Sequence, residues 1–388
     1  MPKAMAAPEG PDQMNEIPAR RPRDQAIDIL RGLALLTITV NHLTGIVVRG
    51  GMREPVFPTL SHWGFSSAAE IFFLLSGYLV GAVYLSANRQ HGLEGFTRKI
   101  YARAGKLYLY NLLLFLLVLP ICWMSPLLAR LSFFEYFIAG GPLAFAGFLI
   151  GYIQPYCLEI LAVYTLLMLT APLFAWLLLR RPALAIGASV TLYAVAYHYP
   201  WLRPPGGMPA GEWKWNFGPG SWQLLFFGAL AAGRFALLDR VRRAFVADRR
   251  WLIAAFALFA GLTMLFVAQE PFGFQVWGQS KVRVGPARVI HVLSVCLLVL
   301  GLLWRMPWLQ SLRASRYVAA VGSASLQCFL ASVVISYLAG FIWIELTRNH
   351  AAYLLLCGAS LVALLLFAQG HRQLRALLAS PRTAAQTA

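Results

Sequence analysis

The chain is short of charge, and shorter still of negative charge. Charged residues make up 12% of its 388 positions, against roughly 25% in soluble domains, and 15 Asp or Glu face 33 Lys or Arg. That composition excludes an ordinary water-solvated enzyme. The five cysteines (Cys122, Cys157, Cys296, Cys328 and Cys357) make no Cys-x-x-Cys pair and fall in or beside apolar runs. They read as small core residues, which excludes a disulfide framework and a thiolate metal site. No hydrophilic stretch is long enough for a soluble domain; the longest are the first 25 residues, 88–106, 200–221 and 269–288. The first of these lacks the apolar core and small-residue cleavage site of a signal peptide, so it reads as a cytoplasmic tail.

What is abundant is apolar sequence. Hydrophobic residues make up 59% of the chain, and runs of roughly 17 or more apolar residues recur along it. The reading is an all-α integral membrane protein, a bundle of about ten transmembrane helices with both termini cytoplasmic. The ten segments are 28–48, 67–87, 107–124, 156–179, 183–199, 222–238, 251–268, 289–304, 318–344 and 351–367. The ninth is long enough to be tilted, kinked or broken. Segment 133–150, with Gly140, Gly141, Pro142 and Gly147, reads as re-entrant or interfacial. Residues 1–26 and 370–388 would be cytoplasmic tails around one membrane domain, 27–369.

Basic residues give the orientation. With the N-terminus inside, 22 of the 33 basic residues fall in cytoplasmic loops and nine outside, while Arg31 and Arg234 lie within spans. This follows the positive-inside rule. It also accounts for most of the net charge of +18 without a nucleic-acid partner, because the basic residues are dispersed among short loops. The expected partner is the lipid bilayer.

Against that background a few polar residues stand out. Arg31 and His42 share the first span, and a charged residue near a bilayer centre costs roughly 2.5–3.5 kcal/mol. Eleven steps of about 100° come within about 20° of three full turns, so both lie on one helix face, about 16 Å apart along the axis. A basic group near one surface and a titratable group deeper in suit a reaction whose two substrates arrive from different depths. Asp28 is three residues before Arg31 and can pair with it. Glu70, at the start of the second span, reaches the depth of His42 and could fix its tautomer. Deeper in that span, Ser76, Gly77 and Gly81 read as a close-packing surface.

Glu70, Glu159, Gln223 and His291 all fall in the outer half and could line one polar chamber, with Lys281, Arg283 and Arg288 preceding the eighth span. Outward aromatics (Trp63, Trp201, Trp213, Trp215, Trp222 and Trp277) form a membrane-surface belt or stack on sugar rings. The cytoplasmic basic cluster Arg98, Lys99, Arg103 and Lys106, like Arg240, Arg242 and Arg243, signals topology or holds the phosphates of a nucleotide-type donor.

Arg31-x10-His42 resembles the motif of the membrane acyltransferase 3 superfamily, and the longer pattern resembles its OpgC branch. The similar pieces are Asp28–Leu36, Asn41-His42, Glu70 through Ser76-Gly77-Tyr78, Gln154-Pro155-Tyr156 with Tyr164, Asn216 with Trp222-Gln223, and Gly322 to Ser325. The chain departs from the branch pattern at Ser323-Ala324 and after Glu159. The resemblance implies a ten-span inner-membrane O-acyltransferase that succinylates osmoregulated periplasmic glucans, using acyl-CoA as co-substrate and no permanently bound cofactor or metal. His42 would be the general base, oriented by Glu70. Arg31, with Asp28, Arg98 and Lys99, would hold the donor. Lys281, Arg288 or His291 would receive a succinyl carboxylate or stabilise the oxyanion. Asn216 and Gln223 would orient the sugar, with Asn41, Glu159 and Ser325 also facing acceptor or acyl group. Ser76 or Ser325 would carry any covalent intermediate. The competing readings are a transporter or flippase, with Gly-Pro breaks at 141–142 and 218–219, and a membrane scaffold without chemistry.

Overall fold

In a computed structural model, residues 24–53, 56–85, 92–199, 206–207 and 215–379 are described. The expected cytoplasmic arginines at 20–23, the aromatics Trp201 and Trp213 and the last nine residues lie outside them.

Helices begin where the sequence offers caps. Asp24 accepts the Ala26 N–H at 2.9 Å and opens α1, Gln25–Arg49. Ser67 and Glu70 open α2, Ala68–Leu79, in a capping box, with the Glu70 carboxylate taking the Ser67 N–H at 3.0 Å. One π turn, Val80–Leu85, extends α2. Then come α3 (Gly92–Trp123), α4 (Pro126–Leu131), α5 (Glu135–Leu149), α6 (Glu159–Arg180), α7 (Pro182–His198) and α8 (Pro219–Arg234). They are followed by α9 (Leu237–Ala247), α10 (Arg250–Phe272), α11 (Pro286–Arg305), α12 (Trp308–Ser311), α13 (Arg313–Ser323), α14 (Ser325–Ile342) and α15 (His350–Ala379).

Among the described residues, eight helical segments are long and apolar enough to cross a membrane, so the chain is a multi-pass membrane protein. Two of the ten expected spans fall short. α7 has 17 residues and α8 has 16, and 16 residues rise only about 24 Å against a hydrocarbon core of about 30 Å. The two pack on each other, and Gln223 of α8 is tied to Ser189 of α7 at both ends of its amide. α3 starts at Gly92, far before the expected 107, so the basic cluster 98–106 is helical and not a loop. The ninth expected segment is broken: Ala324 separates α13 from α14 with φ −108° and ψ 37°. α5 is short and bent at Gly141, whose φ of 55° falls in the left-handed region. α15 continues to Ala379, so the expected tail is helical through that point.

Two crossings without side chains between backbones position the site. A methyl at Gly32 would overlap the Val318 carbonyl oxygen, and one at Gly322 would overlap the Asp28 carbonyl oxygen. This brings α1 and α13 together beside Arg31. Gly77 and Gly81 likewise meet the Phe226 and Leu230 carbonyls of α8, the close packing expected of them. The core is aromatic, with Trp222, Tyr164, Tyr337, Tyr353 and Phe73 among its fully buried side chains. All five cysteines are free, and four are buried.

Candidate active site

α1 supplies the axis of the site. Near its start, Asp28 and Arg31 are buried, and Arg31 Nη2 donates to the hydroxyl of Ser325, the first residue of α14. Three turns further on, His42 is half-buried between two rings, with Tyr156 at 6.4 Å and Phe329 at 6.2 Å between centroids. Its Nδ1 is buried and has no hydrogen-bond partner among the described residues. One turn beyond, the Tyr156 hydroxyl lies over Gly45, where any Cβ would collide with it. Arg49 then stacks 3.9 Å from the Tyr156 ring centroid. His42, Gly45 and Arg49 thus form one stripe of α1 that holds Tyr156 beside the imidazole.

The far end of the bundle, where α1 ends and α2 begins, collects the remaining charges. Glu70 is fully buried; its Oε1 accepts from Arg288 Nε at 2.6 Å, with Arg288 Nη2 closing the ion pair. Its Oε2 takes the Ser67 N–H at 3.0 Å and the Ser67 hydroxyl at 2.6 Å. The carboxylate is therefore committed, and the expected Glu70–His42 hydrogen bond is not made. A guanidinium offers two charge-assisted donors in a geometry that an imidazole cannot match.

His291 pairs its Nδ1 with the Ser66 hydroxyl at 2.7 Å, while its Nε2 abuts Gly64. It is 1% exposed and its Nε2 has no hydrogen-bond partner among the described residues, while Arg288 is already paired with Glu70. Glu159 accepts the Phe217 N–H at 3.0 Å through Oε1, and its buried Oε2 has no hydrogen-bond partner among the described residues. The backbone of half-buried Asn216 bonds the same carboxylate.

Lys281 links these groups. The residue presents surface, but its ammonium is packed among protein atoms, 4.9 Å from the Phe217 ring centroid. Its carbonyl accepts from Trp222 Nε1 at 3.1 Å, which pins the 273–285 loop to α8. It lies within electrostatic reach of His42 and, around itself, of Glu70, Arg288, Glu159 and Cys157. Enclosure by protein lowers its pKa below the ordinary lysine range; Glu70 and Glu159 oppose that fall and Arg288 reinforces it. A cation held this way is disposed to meet an anion or developing negative charge beside His42.

Several expected site residues are elsewhere. Gln223 is spent on Ser189, away from the chamber. Asn41 bonds Ser61 and Thr59, both at 2.9 Å, and so anchors the loop after α1. Arg98 and Lys99 are exposed on the first turns of α3. Arg103 instead turns inward to the hydroxyls of Tyr84 at 3.1 Å and Tyr164 at 3.4 Å. Of the outward tryptophans, Trp63 and Trp277 are exposed, whereas Trp215 and Trp222 are buried. Trp222 packs on Phe73 and Phe217, too deep to stack on a sugar. Tyr156, Phe217 and Phe329 were not read as site residues. Two signals pointed to Tyr156: the Gln154-Pro155-Tyr156 similarity, and the stripe 42–45–49, where a glycine one turn from a histidine makes room for a large group.

A family model described as OpgC protein matches residues 23–375, nearly the whole chain. The chain belongs to the OpgC family. Neither a curated protein nor a solved structure matches it. OpgC membership carries an acyltransferase-type role in glucan modification.

Proposed function

We propose that this chain is an O-acyltransferase of the bacterial inner membrane, with both termini cytoplasmic. It moves an acyl group, succinyl above others, from cytoplasmic acyl-CoA to hydroxyls of a periplasmic glucan. The observation that carries the reading is His42: an imidazole inside a membrane bundle, its Nδ1 uncommitted, beside Lys281 and on the helix face of Arg31. A buried ring nitrogen without a partner suits proton transfer; His291 Nε2 is open too, but of the two only His42 shares α1 with Arg31.

In the reaction, the glucan hydroxyl loses its proton to His42 as its oxygen attacks the thioester carbonyl. The C–O bond forms, the C–S bond breaks, and the imidazolium returns the proton to the departing thiolate as CoA-SH. Such acid–base assistance is worth about 10²–10⁴-fold. Arg31 and Ser325, about 16 Å away along α1, hold the donor on the cytoplasmic side, and an extended pantetheine arm spans that distance. Lys281 meets the oxyanion or the free carboxylate of a dicarboxylic acyl group, and Glu159 fixes the Asn216–Phe217 turn beneath it.

The test is mass spectrometry of periplasmic glucans from cells with wild-type protein, His42→Ala or no protein, with membrane levels matched. An acyl mass increment found only with wild type is expected, together with label from acyl-CoA bound covalently to glucan. Identical glucans in all three strains would sink the assignment, and movement of an unmodified solute would favour transport.

A further inference from the structure

A second basic site lies away from the chamber. Arg313, Arg316 and Tyr317 of α13 and Gln369 and Arg372 of α15 line a cavity of about 300 Å³ that contains no acidic residue. Positions 313, 316 and 317 fall on one face of α13 by the i, i+3, i+4 rule. That face is turned to α15, while Val318 and Gly322 face α1. None of the three guanidinium groups has an ion pair or hydrogen bond among the described residues, and Gln369 Nε2 is buried without a partner. Three converging cations with no counter-charge repel one another, and an anion placed between them removes that repulsion.

Depth and surroundings identify the anion. Arg372 is 22 residues into α15, about 33 Å along its axis, close to one hydrocarbon thickness from the helix start. The cavity therefore opens where the helices leave the apolar layer, at the end where α1 begins. Beside it Leu312, Leu366, Phe367 and Leu374 are exposed, apolar surface fit for acyl chains. Basic pockets between helices at such a boundary suit anionic lipid headgroups.

We propose that the α13–α15 cavity binds the phosphate of an anionic phospholipid, with Arg313, Arg316 and Arg372 as its ligands. This goes beyond the acyl-transfer reading and does not depend on it. A soluble phosphate ester such as CoA shares the chemistry, so the experiment separates the two.

Delipidated full-length protein is titrated in native mass spectrometry with phosphatidylglycerol, phosphatidylcholine or CoA. Wild type is expected to retain phosphatidylglycerol over phosphatidylcholine. In the Arg313→Gln/Arg316→Gln/Arg372→Gln protein that retention falls by about tenfold or more, with CoA binding unchanged. Arg316→Gln alone gives a smaller loss of the same kind and guards against misfolding of the triple variant. Photoactivatable phosphatidylglycerol on wild-type protein, which needs no variant, is expected to label 313–317 and 369–372. Loss of CoA binding with phosphatidylglycerol retention intact assigns the site to a soluble ligand and overturns the proposal. Equal phosphatidylglycerol retention in all proteins, or labelling confined to other segments, overturns it as well.

Discussion

The Glu70–Arg288 pair makes a prediction about partnership. Glu70 has no solvent exposure and Arg288 has 9%, so neither charge is screened by water. Removing Glu70 leaves the guanidinium with one weak neutral acceptor, the Ser67 hydroxyl at 3.5 Å. Removing Arg288 leaves the carboxylate with two short donors, the Ser67 N–H and hydroxyl. Breaking a buried pair from one side costs about 3–5 kcal/mol, and the donors that remain to Glu70 reduce the Arg288 cost. Glu70→Ala should therefore destabilise by about 3–5 kcal/mol and Arg288→Met by less. The double variant should fall short of the sum by about 1–3 kcal/mol. Reversible unfolding of the four proteins in one detergent at one pH measures the cycle. Additivity within about 0.5 kcal/mol would refute the pairing. The acyl-transfer rate adds a second criterion. If Glu70 acted on His42 directly, Glu70→Gln would slow transfer as much in the Arg288→Met background as in wild type; through Arg288, its effect should largely vanish there.

Other substitutions probe the frame and the chamber. Gly322→Ala places a methyl against the Asp28 carbonyl oxygen, backbone that cannot yield, so stability should drop by about 1–3 kcal/mol in a thermal-shift assay. Because the same crossing sets Arg31 against Ser325, apparent donor affinity should weaken as well. Lys281→Met removes a charge whose pKa is lowered by folding. The unfolded chain binds that proton more tightly, so this lysine costs stability at neutral pH, and the cost is relieved as pH rises from the lowered folded pKa towards the ordinary lysine value. Lys281→Met should thus raise the melting temperature near neutral pH, with the gain shrinking in alkali. It should also reduce preference for dicarboxylic over monocarboxylic acyl donors in a competition assay.

Legibility followed the range of the interaction. Arg31 and His42 share one helix face because both belong to α1, and helical periodicity alone relates them. The capping signature Ser67-x-x-Glu70 was local too, yet the partner that neutralises Glu70 lies 218 residues away, and no spacing rule reaches it. Apolar runs marked the helices, but hydropathy does not separate a span from a helix buried among others. Hence hydropathy alone gave no sign that α7 and α8 are shorter than the other expected spans. The break at Ala324 was foreshadowed only by excess length. Arg103 was grouped with its exposed neighbours because its inward orientation depends on where α3 starts, and helix starts without a strong cap are the least readable feature of a sequence.

The division of labour along α1 bears on how such a protein diversifies. Arg31 and His42 ride on one rigid element, so their separation is inherited as a unit. The groups around His42 and Lys281 come from separate pieces of chain: Tyr156 before α6, Phe217 before α8, Lys281 itself before α11 and Phe329 in α14. Three of those four sit in connecting segments, which accept substitution and changes of length more readily than a helix that crosses α13 without intervening side chains. Selection can therefore reshape what is recognised at the far end while the donor arm and the proton acceptor keep their spacing. On this architecture new acceptors arise by loop drift, and loss of activity arises by damage to a single helix.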